Sequence, residues 1–419
     1  MELKRVVVTG IGAVSPLGLN AEETWENMKN GVSGAAPITH FDASLFKTQF
    51  ACEVKGFDPL NFFDRKEMRK LDICQQFAMV AAREAVKDSG MNLDEEDKDE
   101  IGVVLGVGIG GLHTFEDEAG NYAVNGAEQG PKYNPFFIPK MIADMSAGLV
   151  SIEFGFRGPN YVCSSACASS SNAIADAFNL IRLGKANAIL TGGTESAIWP
   201  SGIGGFNALH GLSTRNDDPE GASRPFSASR DGFVVGEGSA ILVLEELEHA
   251  KARGAKIYAE VAGVGMSADA HHITASHPEG YGAKLVMQRA LKDAEMQPSD
   301  IDYINVHGTS THVGDISEVK AILAVFGEDA YKLNISSTKS MTGHLLGAAG
   351  AIEAMASVLA VKEDIVPPTI NHAEGDEDEE IDYKLNFTFN KAQHRTVNAA
   401  ISNTFGFGGH NACVVFKKY

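Results

Sequence analysis

The pattern of this chain calls for an α/β protein of two related halves. Apolar, β-prone runs alternate with apolar-periodic segments of helical length, the alternation that builds a sheet covered by helices. The alternation starts again near residue 250, and one helix end is echoed. Arg83-Glu-Ala-Val-Lys-Asp-Ser-Gly-Met precedes one strand, and Gln288-Arg-Ala-Leu-Lys-Asp-Ala-Glu-Met precedes another. A repeated helix–loop–strand unit points to internal duplication, with one half at 1–250 and the other at 251–419.

In chain order, residues 3–9 read as a buried strand closed by Gly10, Gly12 and Pro16; GIGAVSPLG lacks the spacing of a dinucleotide or phosphate loop. A short helix follows over Ala21 to Asn30, and 32–65 is irregular. The spacing predicts an amphipathic helix over Asp72 to Ser89, stopped by Gly90. A strand over Ile101 to Val107 enters the glycine turn 108–111, and the polar, glycine-bearing stretch 112–140 reads as an insertion or lid. Met141 to Phe154 is a helix, Ala186 to Thr191 and Gly238 to Glu245 are strands, and 195–230 is a long excursion. The second half has strands at Lys256 to Gly265, Ile301 to Val306, Val397 to Asn403 and Asn411 to Phe416, with helices at 282–296 and Gly347 to Glu363. The acidic run Glu374 to Asp382 is a solvated loop.

Composition excludes several classes. A net charge of -20 argues against a nucleic-acid partner, whose electrostatic footprint is basic. No apolar run reaches the length of a membrane span, and Met1 to Gly10 leads straight into a strand with no signal peptide. The five cysteines include one C-x3-C and no second pair, which speaks against zinc and for a reducing compartment, the cytoplasm.

Chemistry concentrates at Tyr161 to Leu183, YVCSSACASSSNAIADAFNLIRL. A short strand meets small residues, then the periodic run Ala173, Ile174, Ala177, Phe178, Ile181 predicts a buried helix. Cys167 falls at the turn where that helix should begin. The N–H groups and dipole there favour a thiolate, and small neighbours leave N–H groups free for an oxyanion. On this segment alone a packed core cysteine is the commoner outcome. Three second-half stretches bear on it: Asn305-Val-His307-Gly-Thr309-Ser-Thr311, Ser336-Ser-Thr-Lys339-Ser-Met-Thr-Gly-His344 and Ser402-Asn403-Thr-Phe405-Gly-Phe407-Gly-Gly-His410. Ligands of open α/β sheets gather at the carboxyl ends of strands, so these polar junctions can converge on Cys167.

These stretches, with VVVTGIGAVSPLG, RGPN, ACAS, STRND, SRPF, RDGFVVGEG, SSTKSMTGHLLGAAGAIE, VPPTIN and NTFGFGGHN, resemble the β-ketoacyl-acyl carrier protein synthase family, most closely its type II members, over essentially the whole chain. The resemblance implies a thiolase-like fold, two duplicated α/β halves in α-β-α-β-α layers, and usually a homodimer. It implies decarboxylative condensation in fatty acid elongation: acyl transfer from acyl carrier protein to Cys167, then attack by the enolate of malonyl-carrier protein. His307 and His344 are the catalytic donors, and Lys339 orients them with Asp315 and Glu318 nearby. The oxyanion hole is the N–H of Cys167 with that of Phe405, which is also the gate. Ile109, Phe206, Thr274, Thr309 and Thr311 line the substrate path. Lys66, Arg69 and Lys70 dock the carrier protein; in an acidic chain, four basic residues within Arg65 to Lys70 make a positive island. Asn305, Glu353, Ser402 and Asn403 form a cluster that holds a monovalent cation in some relatives, or a hydrogen-bonded polar cluster with no ion. No cofactor is required; the phosphopantetheine arm arrives on the carrier protein.

The chain departs from the family pattern at Ser165, Ser170, His210, His312 and His410, none of them a catalytic group. Three other readings compete: a type I or polyketide-type ketosynthase of different acyl specificity, a non-condensing chain-length factor, and a thiolase. Cys167 at the nucleophile position argues against the second. The His307, His344 and Lys339 set argues against the third, since Cys413 sits within a strand pattern.

Overall fold

The computed structural model describes residues 3–419. Its main-sheet strands are β1 (Val6–Val14), β2 (Ile101–Gly106), β3 (Asn160–Cys163), β4 (Ala188–Glu195), β5 (Gly238–Glu246), β6 (Ala259–Ala268), β7 (Tyr303–Asn305), β8 (Asn334–Ser336), β9 (Ala399–Gly406) and β10 (His410–Lys417), beside two short two-stranded sheets. They form one ten-stranded sheet in the order β8-β7-β9-β10-β6-β1-β5-β4-β2-β3. Within strands one to five of each half the order is the same, third-second-fourth-fifth-first. The first two pairings are parallel and the next two antiparallel in both halves. The halves join where β1 pairs antiparallel with β6 over Val6–Val8.

The principal helices are α1 (Ile73–Ser89), α2 (Leu112–Gln129), α3 (Met145–Phe154), α4 (Ser169–Arg182), α5 (Tyr281–Asp293), α6 (His312–Phe326) and α7 (Ala349–Glu363). The echoed sequence units fall at the ends of α1 and α5, the crossovers between the first and second strands of each half. α1 and α3 cover the outer face of the first half, α5 that of the second with α6 packed against it, and α4 and α7 lie between the two halves of the sheet. This gives the five layers expected. Position in the layers explains composition. α7 is buried on every side from Ala349 to Val361 and is built mainly of small apolar residues. The outer α1 keeps a polar stripe.

Local rules set α1. Asp72 caps it, accepting from the Cys74 N–H in a capping box with Gln75, and Gly90 ends it at φ 64°. The stretch 112–140, read as an insertion or lid, is mostly helical: α2 occupies most of it despite Gly120 and Gly126, and Phe137–Met141 forms a separate short helix. Consequently α3 begins at Met145 rather than Met141.

Candidate active site

Cys167 does not begin a helix; it sits two residues before the first residue of α4. The reason is the turn itself. Ala166 is held at φ 51°, a left-handed conformation costly for a residue with a side chain. The Ser169 hydroxyl locks it, accepting from the Ser165 N–H at 2.9 Å and donating to the Ala166 carbonyl at 2.6 Å. The end of β9 closes over this turn at Gly406, where a Cβ would stand 2.7 Å from the Ser165 carbonyl oxygen and 3.1 Å from the Cys167 nitrogen.

A cavity of about 510 Å3 opens above the sulfur. Cys167, His307, His344 and Phe405 line it, as do all five residues expected along the substrate path, Ile109, Phe206, Thr274, Thr309 and Thr311. Phe206 packs edge-on to Phe233, and the Thr309 and Thr311 hydroxyls bond each other at 2.9 Å.

The two imidazoles lie at strand and loop ends, as the topology requires: His307 follows β7, and His344 follows the short helix Lys339–Thr342. Their ring centroids are 5.3 Å apart and nearly perpendicular, and the Phe405 ring lies 5.5 Å from His307. Burial pushes both well below the usual histidine range, and the Lys339 ammonium pushes the same way. Both rings are therefore neutral near pH 7. His344 Nδ1 accepts from the Leu346 N–H at 3.2 Å, which leaves the ring proton on Nε2.

The thiolate expected at Cys167 is not the resting form. Burial pushes the thiol up to about 11, outweighing Lys339 and the N–H groups beside the sulfur. Those N–H groups belong to Phe407 and Cys167 itself. Phe405, expected to supply the second, is instead a strand residue in register with Asn411, whereas Phe407 lies in the turn joining β9 to β10. The N–H beside the sulfur from this segment is thus that of Phe407, the residue two positions after Phe405.

Lys339 is inside the protein, paired with Glu353. Glu318 accepts from the N–H groups of His307 at 3.0 Å and Gly308 at 2.8 Å, fixing the strand end that carries His307; burial raises its carboxyl to about 7, with those N–H groups and Lys339 pulling it back. Asp315 does not join them. It faces the fully buried Arg230 at 3.4 Å and accepts from the Phe226 N–H at 2.9 Å. Asn305 and Ser402 are register partners on β7 and β9. Both Asn305 side-chain atoms, Ser402 Oγ, Asn403 Oδ1 and Glu353 Oε2 find no hydrogen-bond partner among the described residues. Lys66, Arg69 and Lys70 are exposed around a single-turn helix capped by Asp64, outside the cavity.

The sequence reading assigned no role to Phe407 or Glu195, both of which line the cavity. The repeated Phe-Gly of the NTFGFGG stretch was the signal for the first. An acidic residue closing the buried run of β4 was the signal for the second.

Two family patterns match: the β-ketoacyl synthase N-terminal domain over residues 3–250 and the β-ketoacyl synthase C-terminal domain over 258–373. A protein of Synechocystis sp. named 3-oxoacyl-[acyl-carrier-protein] synthase 2 is 49% identical over 420 residues, covering 100% of this chain and 99% of the relative. One of the same name from Staphylococcus aureus is 50% identical, covering 99% of each. Among solved structures, a β-ketoacyl synthase from Burkholderia phymatum superposes with a TM-score of 0.90 at 35% identity, covering 99% of this chain and 100% of that one. A type II polyketide synthase acyl-carrier protein in complex with its ketosynthase gives 0.86 at 33%, covering 100% of each.

Proposed function

The chain belongs to the β-ketoacyl synthase family, and from that premise we infer that it is the condensing enzyme of fatty acid elongation. The fold is thiolase-like, with the nucleophile in the half at 1–250 and the catalytic His/His/Lys set in the half at 251–419. The observation that carries this reading is the meeting of Cys167, His307 and His344 on one cavity, with both imidazoles kept neutral.

Cys167 attacks the thioester of an acyl-carrier protein; the acyl group moves to sulfur, and the thiol proton leaves with the pantetheine thiol. Because the resting sulfur is protonated, a neutral imidazole takes that proton in passing. The N–H groups of Cys167 and Phe407 stabilise the tetrahedral oxyanion. Malonyl-carrier protein then enters past Thr309 and Thr311. Its carboxylate is lost as carbon dioxide, and the enolate oxygen is held by His344 Nε2–H and His307. The enolate carbon attacks the acyl-Cys167 carbonyl, the thiolate leaves and is reprotonated, and the 3-oxoacyl product is two carbons longer. Phe405 packs beside His307 as a wall between the acyl and malonyl sides.

The partner is acyl carrier protein, in acyl and malonyl forms, docking at Lys66, Arg69 and Lys70. The phosphopantetheine it carries belongs to the substrate. The unpartnered polar atoms of Asn305, Glu353, Ser402 and Asn403 suit a monovalent cation or water, whose task there is to hold the strand ends. A second copy of the chain covers the exposed edge strand β3 and the apolar side chains Phe115 and Ile152, both largely exposed. The setting is the cytoplasm, where the five free thiols stay reduced. No described helix is long and apolar enough to cross a membrane.

Condensation of acyl- and malonyl-carrier protein over a range of primer lengths tests the reading. Carbon dioxide release with a product two carbons longer is expected. Activity only on coenzyme A thioesters in the cleavage direction would overturn it.

A further inference from the structure

One buried carboxylate in the cavity wall has no part in the chemistry above. Glu195, the last residue of β4, is fully buried, and no cation pairs with it among the described residues. Four backbone N–H groups hold it instead. Oε2 accepts from Gly108 at 2.9 Å and Gly347 at 3.1 Å, Oε1 accepts from Gly110 at 3.0 Å, and the Ile109 N–H is shared between the two oxygens at 3.1 and 3.2 Å. The fit admits no side chain: a Cβ on Gly108 would stand 2.6 Å from Oε2, and one on Gly347 would stand 2.6 Å from Oε2 and 2.2 Å from the Gly108 nitrogen. Backbone dipoles alone therefore compensate the charge, and three distant segments meet at it: the Ile109 turn, the end of β4, and the segment three residues past His344.

Ile109 itself is 43% exposed, so little side-chain packing fixes its place. Its backbone is fixed by Glu195. We propose that Glu195 is a positioning residue that sets primer-length specificity, by clamping the Ile109 turn to the Gly347 segment and so fixing how far the tunnel wall yields to an acyl chain. The proposal rests on the reading of Ile109 as a wall of the acyl tunnel.

The test is a double-mutant cycle read as the ratio of kcat/KM for dodecanoyl- over hexanoyl-carrier protein in the full-length protein. Ile109→Phe is introduced alone, Glu195→Gln alone, and the two together. Glu195→Gln keeps the shape but replaces one acceptor oxygen by a donor, which releases the turn. Ile109→Phe lowers the ratio in the wild-type background, and in the Glu195→Gln background the same substitution lowers it at least about fivefold less, the scale of coupling between contacting residues. Gly108→Ala, whose Cβ displaces the carboxylate, enters the same cycle in place of Glu195→Gln should that variant not fold. A merely structural role would lower all primers alike and leave the ratio unmoved. If Ile109→Phe lowers the ratio equally in both backgrounds, Glu195 does not act through the turn and the proposal fails while the reading of Ile109 stands. If Ile109→Phe moves the ratio in neither background, both fall together.

Discussion

Lys339 and Glu353 form an ion pair closed off from water, each side chain about 1% exposed. The pair lies where the imidazoles of His307 and His344 feel its ammonium, and that charge helps keep both rings neutral. It thereby couples a buried salt bridge to the protonation state of both rings.

Lys339→Met should therefore move the acid limb of Cys167 acylation to higher pH. The histidines are held well below their usual value by burial and by the ammonium; removing the ammonium raises them toward the ordinary ~6.5. Falling pH then protonates the base at a higher pH than in the wild type. Acylation rates from pH 5.5 to 8 check this, and an unmoved limb would show that Lys339 does not act through the histidines. Breaking one side of a buried pair also costs about 3–5 kcal/mol of stability, so the melting temperature drops unless Glu353→Gln is added.

Cys167→Ala abolishes the acyl-enzyme, whereas Cys163→Ala retains it. Cys163 lies in β3 with its sulfur 3.4 Å from an Asp176 carboxylate oxygen, and burial, reinforced by that carboxylate, pushes its thiol up to about 12. Intact-protein mass spectrometry after addition of acyl-carrier protein reads the adduct; acyl mass on Cys163 would reverse the assignment.

Ile109→Phe blocks long primers and spares short ones. Overpacking a tight site costs ~1–3 kcal/mol, roughly ten- to a hundredfold in rate where the transition state feels it. Equal losses with acetyl and dodecanoyl primers would remove Ile109 from the tunnel.

Gly406→Ala should impair acylation at every primer length, because its Cβ would press on the Ser165 carbonyl and the Cys167 nitrogen. Single-turnover acylation measures this. A loss confined to long primers would place the effect in the tunnel instead.

Lys66→Glu with Arg69→Glu raises KM for carrier-protein substrates through slower association, and added salt weakens the wild type in the same way. Small pantetheine thioesters, which bring no acidic surface, are turned over nearly unchanged. Equal loss with both substrate classes would make the patch structural.

Much of this protein was legible in its sequence, because local rules govern what was read. Asp72 and Gly90 mark the ends of α1 through capping and a left-handed stop. The echo at Arg83 and Gln288 signals the duplicated halves, and the motif stretches carry Cys167, His307, His344 and Lys339. What depended on long-range approach was not legible. The partner of Lys339 is Glu353 on α7, and the partner of Asp315 on α6 is Arg230 in the loop before β5, because these segments are apart in sequence and meet only in the folded chain. The N–H at the Cys167 sulfur belongs to Phe407 because the β9–β10 hairpin folds over the Ala166 turn. The thiol is protonated at rest because burial, a property of the assembled core, outweighs the local pull of backbone N–H groups and Lys339. Sequence determines residue type, periodicity and caps, which act over a few neighbours. Which charges face each other, and how dry they are, only the packed layers decide, since desolvation and Coulomb energy depend on distances that chain order does not contain.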